Sequence, residues 1–310
     1  MPAHAAPADT PHPAALHAAL ADWYASHARD LPWRRTTDPY AILVSEVMLQ
    51  QTQVARTIPR YAEFLASFPT IEALAQAPVA DVIRAWSGMG FNARAVRLHR
   101  LAVEVVALHG GKLPPTAVAL RTLPGIGPYT AAAVACFAFG ASEPVLDTNV
   151  YRVLSRVAHG LTPPSRQELE PLARALLPGP GAPLDPSSWA QALMDVGAAL
   201  CSVSAPACGD CPLERHCAAA PELARADAPR TLAESSVPYA PKQGAFAGST
   251  RFHRGRIVAA LRDLPEGGSL SAQQLADAAG GRSPAEIAAL VDGLVRDGLA
   301  RRVGGGAALP

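Results

Sequence analysis

Lysine is almost missing from this 310-residue chain: Lys112 and Lys242 are the only two, and every other basic residue is arginine. Chemistry that needs a lysine amine as nucleophile therefore has two candidate positions. Aromatic residues make up only 5%, so the core must be built from Ala, Leu and Val, a composition that favours helices. Charged residues are 17% and the net charge is +1, which does not by itself announce a nucleic-acid binder. No apolar run reaches the roughly 18 residues of a membrane span. The opening MPAHAAPADTPHPAA lacks a basic start followed by an apolar stretch, so it does not read as a secretory signal. Residues 1–12 are expected to be a disordered lead, and the compartment a reducing cytoplasm. With 49% hydrophobic residues, the chain can bury two cores and a small third.

The most informative stretch is LPGIGPYTAAAVACFAFGASEPVLDTN, Leu123 to Asn149. Gly125 and Gly127 can take positive φ and bare their backbone amides. An apolar helix follows from about Thr130 to Phe139. Amides and the positive helix end together suit one phosphate. Asp147 then precedes Thr148-Asn149, an expected N-cap for a helix starting near Val150. A lone G-x-G turn usually only turns the chain, and a lone aspartate is usually a cap. Their joint occurrence is far more specific.

Cys201, Cys208, Cys211 and Cys217 follow C-x6-C-x2-C-x5-C. Four thiols so close together in a reducing compartment point to a metal site rather than disulfides. Zinc and an iron–sulfur cluster both accept four cysteines, and ligand type alone does not separate them. Cys136, on an apolar helix face, reads as a small buried hydrophobe.

Glu46 stands in SEVMLQQT among Ile42, Leu43, Val44, Val47 and Met48. Those flanks leave little polar face, so desolvation is expected to raise its pKa and suit it to general-acid work near neutral pH. An ionised Asp147 would complete the two-carboxylate arrangement that glycosidic cleavage uses.

W-R-R-x(3)-P-Y, S-E-V-M-L-Q-Q-T-Q-V, L-P-G-I-G-x-Y-T-A, V-L-D-x-N-V and the cysteine loop occur in that order between about residues 15 and 220. In this the chain resembles the helix-hairpin-helix DNA glycosylases of the endonuclease III superfamily, and within them the MutY-type adenine glycosylases. The resemblance implies a monofunctional base-excision enzyme that removes adenine mispaired with 8-oxoguanine or guanine in duplex DNA, and a [4Fe–4S] cluster on the four cysteines. It implies that Glu46 protonates adenine at N7 and that Asp147 stabilises an oxocarbenium-like sugar. Tyr129 would sit beside the sugar, and Asn149 would orient the aspartate and a water. Arg34, Leu49 and Asp195 match base-pocket positions. Gln50, Gln51 and Thr52 match the loop that enters the duplex. Gly125, Gly127, Thr130, Arg94 and Arg215 are candidate DNA contacts. Relatives that cleave the strand carry lysine where Tyr129 stands, and neither lysine here lies in a matching motif. Adenine glycosylases of this type carry a larger C-terminal domain, related to Nudix hydrolases, where this chain has about sixty residues of another pattern. Asn92, within Gly90-Phe91-Asn92-Ala93-Arg94, also departs from the more usual pattern of that glycine turn.

The expected fold is all-α. A six-helix domain over 38–150 carries the hairpin, and a cluster domain combines 13–37 with 151–220. A linker over 221–250 leads to a winged-helix-like module at 251–310, with helices over 251–264, 271–279 and 283–298 and a hairpin over 299–309. The module reads either as a structural helical appendage or as a source of DNA contacts through Arg251, Arg254, Arg256, Arg301 and Arg302. The target base would be extruded from the duplex into a cleft between the domains, by a monomer acting on nucleoid DNA. The rivals are a thymine glycosylase acting on G:T pairs, a DNA-binding redox regulator without catalysis, and a structural iron–sulfur scaffold.

Overall fold

The computed structural model describes residues 12–225 and 245–310. Nearly all of the expected lead, much of the linker, and Lys242 lie outside them. The described chain is mainly helical: α1 (Pro13–His27), α2 (Pro39–Leu49), α3 (Val54–Ser67), α4 (Ile71–Gln76), α5 (Val79–Ala85), α6 (Ala93–His109), α7 (Ala117–Leu120), α8 (Pro128–Phe139), α9 (Thr148–His159), α10 (Arg166–Ala175), α11 (Pro186–Ala199), α12 (Ala220–Leu223), α13 (Thr250–Arg262), α14 (Ala272–Ala279) and α15 (Pro284–Arg296). Three short strands, β1 (Ser269–Leu270), β2 (Arg301–Val303) and β3 (Gly306–Ala308), complete it. No described helix is long and apolar enough to cross a membrane.

The chain divides into two compact units. One comprises Met1–Arg34, Pro115–Ala117 and Ala131–Pro241. Here α1 returns to the later helices: Leu16 and Leu20 share a core with Val150, Leu154, Trp189, Leu193 and Val196. The buried His17 ring adds a hydrogen bond of 2.9 Å to the Leu176 carbonyl. Side-chain caps start two helices of this unit, Ser165 with a capping box on α10 and Asp185 on α11, each satisfying amides that the helix cannot.

The other unit comprises Arg35–Pro114, Val118–Thr130 and Lys242–Pro310. Asp38 caps α2 and Pro39 opens it, a favourable pairing of a side-chain acceptor with a residue lacking an N–H. The Tyr40 hydroxyl donates to the Phe68 carbonyl at 2.8 Å, and the fully buried Trp86 packs edge-on against Phe64.

The C-terminal residues form α13, α14 and α15 with an antiparallel sheet ordered β1-β3-β2. β1 is an element that the sequence pattern did not disclose, since two residues carry no alternation. A Cβ at Gly306 would lie 1.9 Å from the Leu270 carbonyl oxygen, so β3 can pass β1 only as glycine. Ile257, Val258, Leu261, Val291 and Leu294 share one core with Ile83 of α5 and Val96 of α6. The C-terminal helices are therefore part of this unit's core. The chain passes from one unit to the other within α8, between Thr130 and Ala131, earlier than residue 150. Residues 131–136 of that helix are all buried, so no polar face marked the change in the sequence.

Candidate active site

Glu46 belongs to α2, whose residues from Tyr40 to Met48 are all buried; Glu46 itself is 5% exposed. The helix gives way to the loop that starts with Gln50, where Leu49, Gln50 and Thr52 are half-buried and Gln51 is exposed. Gln51 adopts φ +56, a left-handed conformation uncommon outside glycine.

Arg94 holds this loop from beneath. Its guanidinium donates to the carbonyls of Val47, Met48 and Gln50 at 2.8, 3.0 and 2.6 Å, to Thr52 Oγ1 at 3.1 Å, and to the carbonyls of Met89 and Gly90 at 3.0 and 3.2 Å. Three of these acceptors are at the C-terminal end of α2, where backbone carbonyls lack helical partners and carry the negative end of the dipole. Burial lowers Arg94 to about 10, so it stays charged at neutral pH. The side chain is 3% exposed, and the expectation that it touches DNA gives way to a different role. It ties the end of the Glu46 helix to the Gly88–Asn92 turn.

The glycine hairpin packs beside the same loop, with Pro124, Gly125 and Ile126 sharing a small crevice with Val47, Gln50 and Leu98. Leu123 and Ile126 are buried and anchor the turn, while Gly125 is exposed at φ +81. Gly127 is not left-handed, against expectation, and a Cβ there would meet no atom within 4 Å. Neither a positive φ nor packing among the described residues asks for glycine at 127. Pro128 opens α8 two residues before the expected start. Tyr129 is half-buried and Thr130 buried, so the Thr130 side chain is not presented as a contact surface.

In the other unit Asp147 is itself the N-cap of α9, in place of Thr148 or Asn149. One oxygen accepts from the Val150 amide at 2.6 Å and the other from Asn149 Nδ2 at 2.9 Å. Burial pushes its carboxyl above the usual aspartate value, while Val150, Asn149 and Arg152 pull the other way. Asn149 Oδ1 in turn accepts from Arg152 Nη2 at 2.9 Å, and Arg152 also donates to the carbonyls of Cys201 at 2.6 Å and Gly197 at 2.7 Å. A continuous hydrogen-bonded path thus joins Asp147 to the start of the cysteine loop. Gly197 is required by contact: its Cβ would lie 2.5 Å from Asn149 Cβ. Arg152 and Gly197 were not singled out from the sequence, because nothing local to either residue discloses this partner.

Arg34 and Asp195 come together as a buried ion pair. Arg34 donates through Nη1 and Nη2 to the two carboxylate oxygens at 2.8 and 2.9 Å, and Arg29 adds its backbone amide at 3.1 Å and Nε at 2.5 Å. Burial alone would raise the Asp195 carboxyl, but Arg34 and Arg29 outweigh it and hold it below its ordinary value. With four donors on a residue 1% exposed, Asp195 positions Arg34 rather than standing ready for a ligand.

The four cysteines occupy the loop after α11. Cys201, Cys211 and Cys217 pack against the hydrophobic core of their unit. Burial, and then the other thiols of the group, push Cys208 up, Cys211 up to about 12 and Cys217 up to about 11. Each of the four lies in the field of the other three. Backbone amides of Leu213, Ala219 and Ala220 donate toward Cys211 and Cys217, and the fully buried Arg156 donates through Nη1 to Cys201 Sγ at 3.0 Å. Among the described residues, no three or more His, Cys, Asp or Glu side chains close around a single metal ion. Four soft thiols sharing one field, with amide and guanidinium donors aimed at sulfur, are a donor set that suits a thiolate-held cluster. Arg215 is exposed on the Glu214–His216 turn of this loop.

The chain is similar to known proteins over most of its length. Residues 44–178 match the HhH-GPD superfamily base excision DNA repair protein family. An adenine DNA glycosylase of Mycolicibacterium smegmatis is 39% identical over 290 residues, 93% of this chain and 93% of that protein. One from Mycobacterium tuberculosis is 41% identical over 253 residues, 78% of this chain and 77% of its own. Among solved structures, a thermostable thymine-DNA glycosylase superposes with a TM-score of 0.62 at 29% identity, covering 68% of this chain and 97% of the other. By the family match and by 39% identity over 93% of its length to an adenine DNA glycosylase, the chain belongs to the HhH-GPD superfamily of base excision DNA repair proteins and is a DNA glycosylase.

Proposed function

We propose that this protein hydrolyses the N-glycosidic bond of adenine mispaired with 8-oxoguanine or guanine in duplex DNA, acting as a monomer on nucleoid DNA and leaving an abasic site. The observation that carries the reading is the pair of acids: Glu46 buried in α2, and Asp147 held by Asn149 and the Val150 amide. Glu46 donates its proton to N7, so that the base leaves as neutral adenine when the bond from C1′ to N9 breaks. The Asp147 carboxylate stabilises the positive charge left on the sugar. Water oriented by Asn149 then adds at C1′, and the proton it loses is taken up by a carboxylate. Tyr129 stands beside the sugar and supplies no amine, so no Schiff base forms and the strand stays intact. Arg34, Leu49 and Asp195 shape the base pocket, with Arg34 fixed by Asp195 for that purpose.

The glycine hairpin grips one phosphate through backbone amides, helped by the bare surface at Gly127. Gln50, Gln51 and Thr52 enter the duplex as the base leaves, and Arg215 touches the backbone. A [4Fe–4S] cluster held by Cys201, Cys208, Cys211 and Cys217 braces the loop that carries Arg215, supplying structure and no step of the reaction. The similarity to the Mycolicibacterium protein leaves only 7% of this chain unmatched, too little to omit the C-terminal helices. That favours adenine even with a C-terminal region unlike a Nudix-related domain.

The likeness to a thymine-DNA glycosylase supports a second reading, thymine excised opposite guanine. Duplexes carrying A opposite 8-oxoguanine, G or C, and T opposite G, assayed with and without alkali, separate the two. Adenine release seen as strand breaks only after alkali is the expected result. Release from G:T alone selects the second reading. Glu46→Gln should abolish excision while duplex affinity stays within about threefold, and unchanged turnover in that variant removes the mechanism.

A further inference from the structure

Arg156 stands in the last turn of α9, a place where a basic residue ordinarily lies at the surface against the negative end of the helix dipole. It is fully buried instead. Its guanidinium reaches the first stretch of the cysteine loop. Nη1 donates to Cys201 Sγ at 3.0 Å and to the Ser202 carbonyl at 2.8 Å, and Nη2 donates to the Val203 carbonyl at 3.3 Å. Its backbone holds the last stretch. The Arg156 carbonyl accepts from the Ala219 amide at 3.1 Å, and the next carbonyl, Val157, accepts from the Ala218 amide at 3.0 Å. Both ends of the loop from Cys201 to Cys217 are therefore held at this end of α9, one by a side chain and the other by the main chain.

The two attachments differ in what they need. Any residue at 156 would offer the same carbonyl. The side chain adds what only arginine has, a permanent positive charge on a planar fork of donors. Taking such a charge out of water is unfavourable unless an opposite charge or a full set of acceptors meets it. A thiolate at Cys201 is that opposite charge, and thiolate is the form in which cysteine binds metal. Four thiolates give an iron–sulfur cluster a net negative charge, which shrinks when an electron is withdrawn. A positive charge and an N–H···S hydrogen bond at one ligand both favour the more negative state.

We propose that Arg156, acting through Cys201, guards the cluster against oxidation: its guanidinium makes withdrawal of an electron harder and so slows oxidative loss of iron from the loop. Arg156 is a positioning residue and takes no part in base release. This inference rests on the cluster reading above and adds to it the residue that sets resistance to oxidation.

The test uses full-length protein purified without oxygen, as Arg156→Met, which removes the charge and the donors at similar length, and Arg156→Lys, which keeps the charge. Iron content and absorption near ~400 nm should match the unaltered protein in both, because the main-chain attachment remains. Excess ferricyanide is then added, which withdraws an electron and becomes ferrocyanide. Absorption should be lost about tenfold faster in Arg156→Met, the factor of one charge-assisted hydrogen bond, and within about threefold of the unaltered rate in Arg156→Lys. The oxidation potential read by voltammetry should move negative in Arg156→Met and less so in Arg156→Lys. An unchanged rate in Arg156→Met overturns the proposal. Equal acceleration in both variants also overturns it, since packing and not charge would then be the cause. If Arg156→Met does not hold iron, Arg156→Gln, neutral and still a donor, is compared with Arg156→Lys for the same outcomes. Zinc in the unaltered protein, with no absorption near ~400 nm, sinks the cluster reading and this one together.

Discussion

Replacing Gly197 by alanine tests whether α11 sets the position of the end of α9 that carries Asp147 and Asn149. A methyl group at 197 would lie 2.5 Å from Asn149 Cβ, 3.0 Å from its Cα and 3.1 Å from its carbonyl carbon, where ordinary contact begins at 3.4 Å. The opposing atoms are backbone or bonded directly to it, so no side-chain rotation relieves the clash. Asn149 and Gly197 must part by about 0.9 Å, which is 3.4 less 2.5 Å. Overpacking of this kind costs about 1–3 kcal/mol, and alanine returns about 1 kcal/mol of helix propensity. The net loss is about 0–2 kcal/mol, a melting point lower by a few degrees. Excision should suffer far more. Asn149 holds Asp147 at 2.9 Å, and a misplacement near 1 Å in a catalytic group costs on the order of 100-fold in rate. Single-turnover adenine release and a thermal melt on the same preparation give both numbers. A variant that excises within twofold of the unaltered enzyme would refute the claim that this contact positions Asn149.

Three further outcomes follow from the same geometry. If excision needs the Asp147 carboxylate, its rate falls as pH drops through a pKa that burial has raised, so the acid limb lies above the usual aspartate value of about 3.9. Asn149→Ala removes a donor to that carboxylate and should move the limb higher still, and an unmoved limb in the pH profile counts against the assignment. Since the folded state holds this proton more tightly than the unfolded chain, the same group makes stability fall as pH rises past the ordinary value. Arg94→Met leaves the acceptors of Val47, Met48, Gln50, Met89 and Gly90 without their donor, and urea unfolding should record a loss of at least about 3 kcal/mol; a loss below about 1 would show that water replaces it. The purified protein should absorb near ~400 nm and carry about four iron atoms per chain, and Cys217→Ser should lose both, whereas zinc with no absorption there would remove the cluster.

Glu46, Asp147 and the four cysteines stand out as candidates in the sequence because each belongs to a short run whose chemistry is local. SEVMLQQT puts an acid in an apolar helix, V-L-D-x-N puts one at a helix start, and four thiols share one loop. Even so, Asp147, Thr148 and Asn149 are all good N-caps, and only the backbone decides that Asp147 takes the role. Arg94 read as a candidate DNA contact next to a glycine turn, yet its acceptors come from residues more than forty positions away. β1 was unreadable, since it exists only through its pairing with β3.

What the sequence determined by itself was the helical character, the motif order and the candidates for the reacting groups, because side-chain chemistry and periodicity are carried by residues close in the chain. What only the tertiary structure decided was how those groups are held. Asp195 meets Arg34 and Arg29 across 161 and 166 positions, Gly197 is glycine because of Asn149, and Phe246 with Arg251 shares a cavity with Gln51 and Phe91. Such contacts arise from the packing of cores, and close approach between distant segments leaves no mark on the pattern of either one.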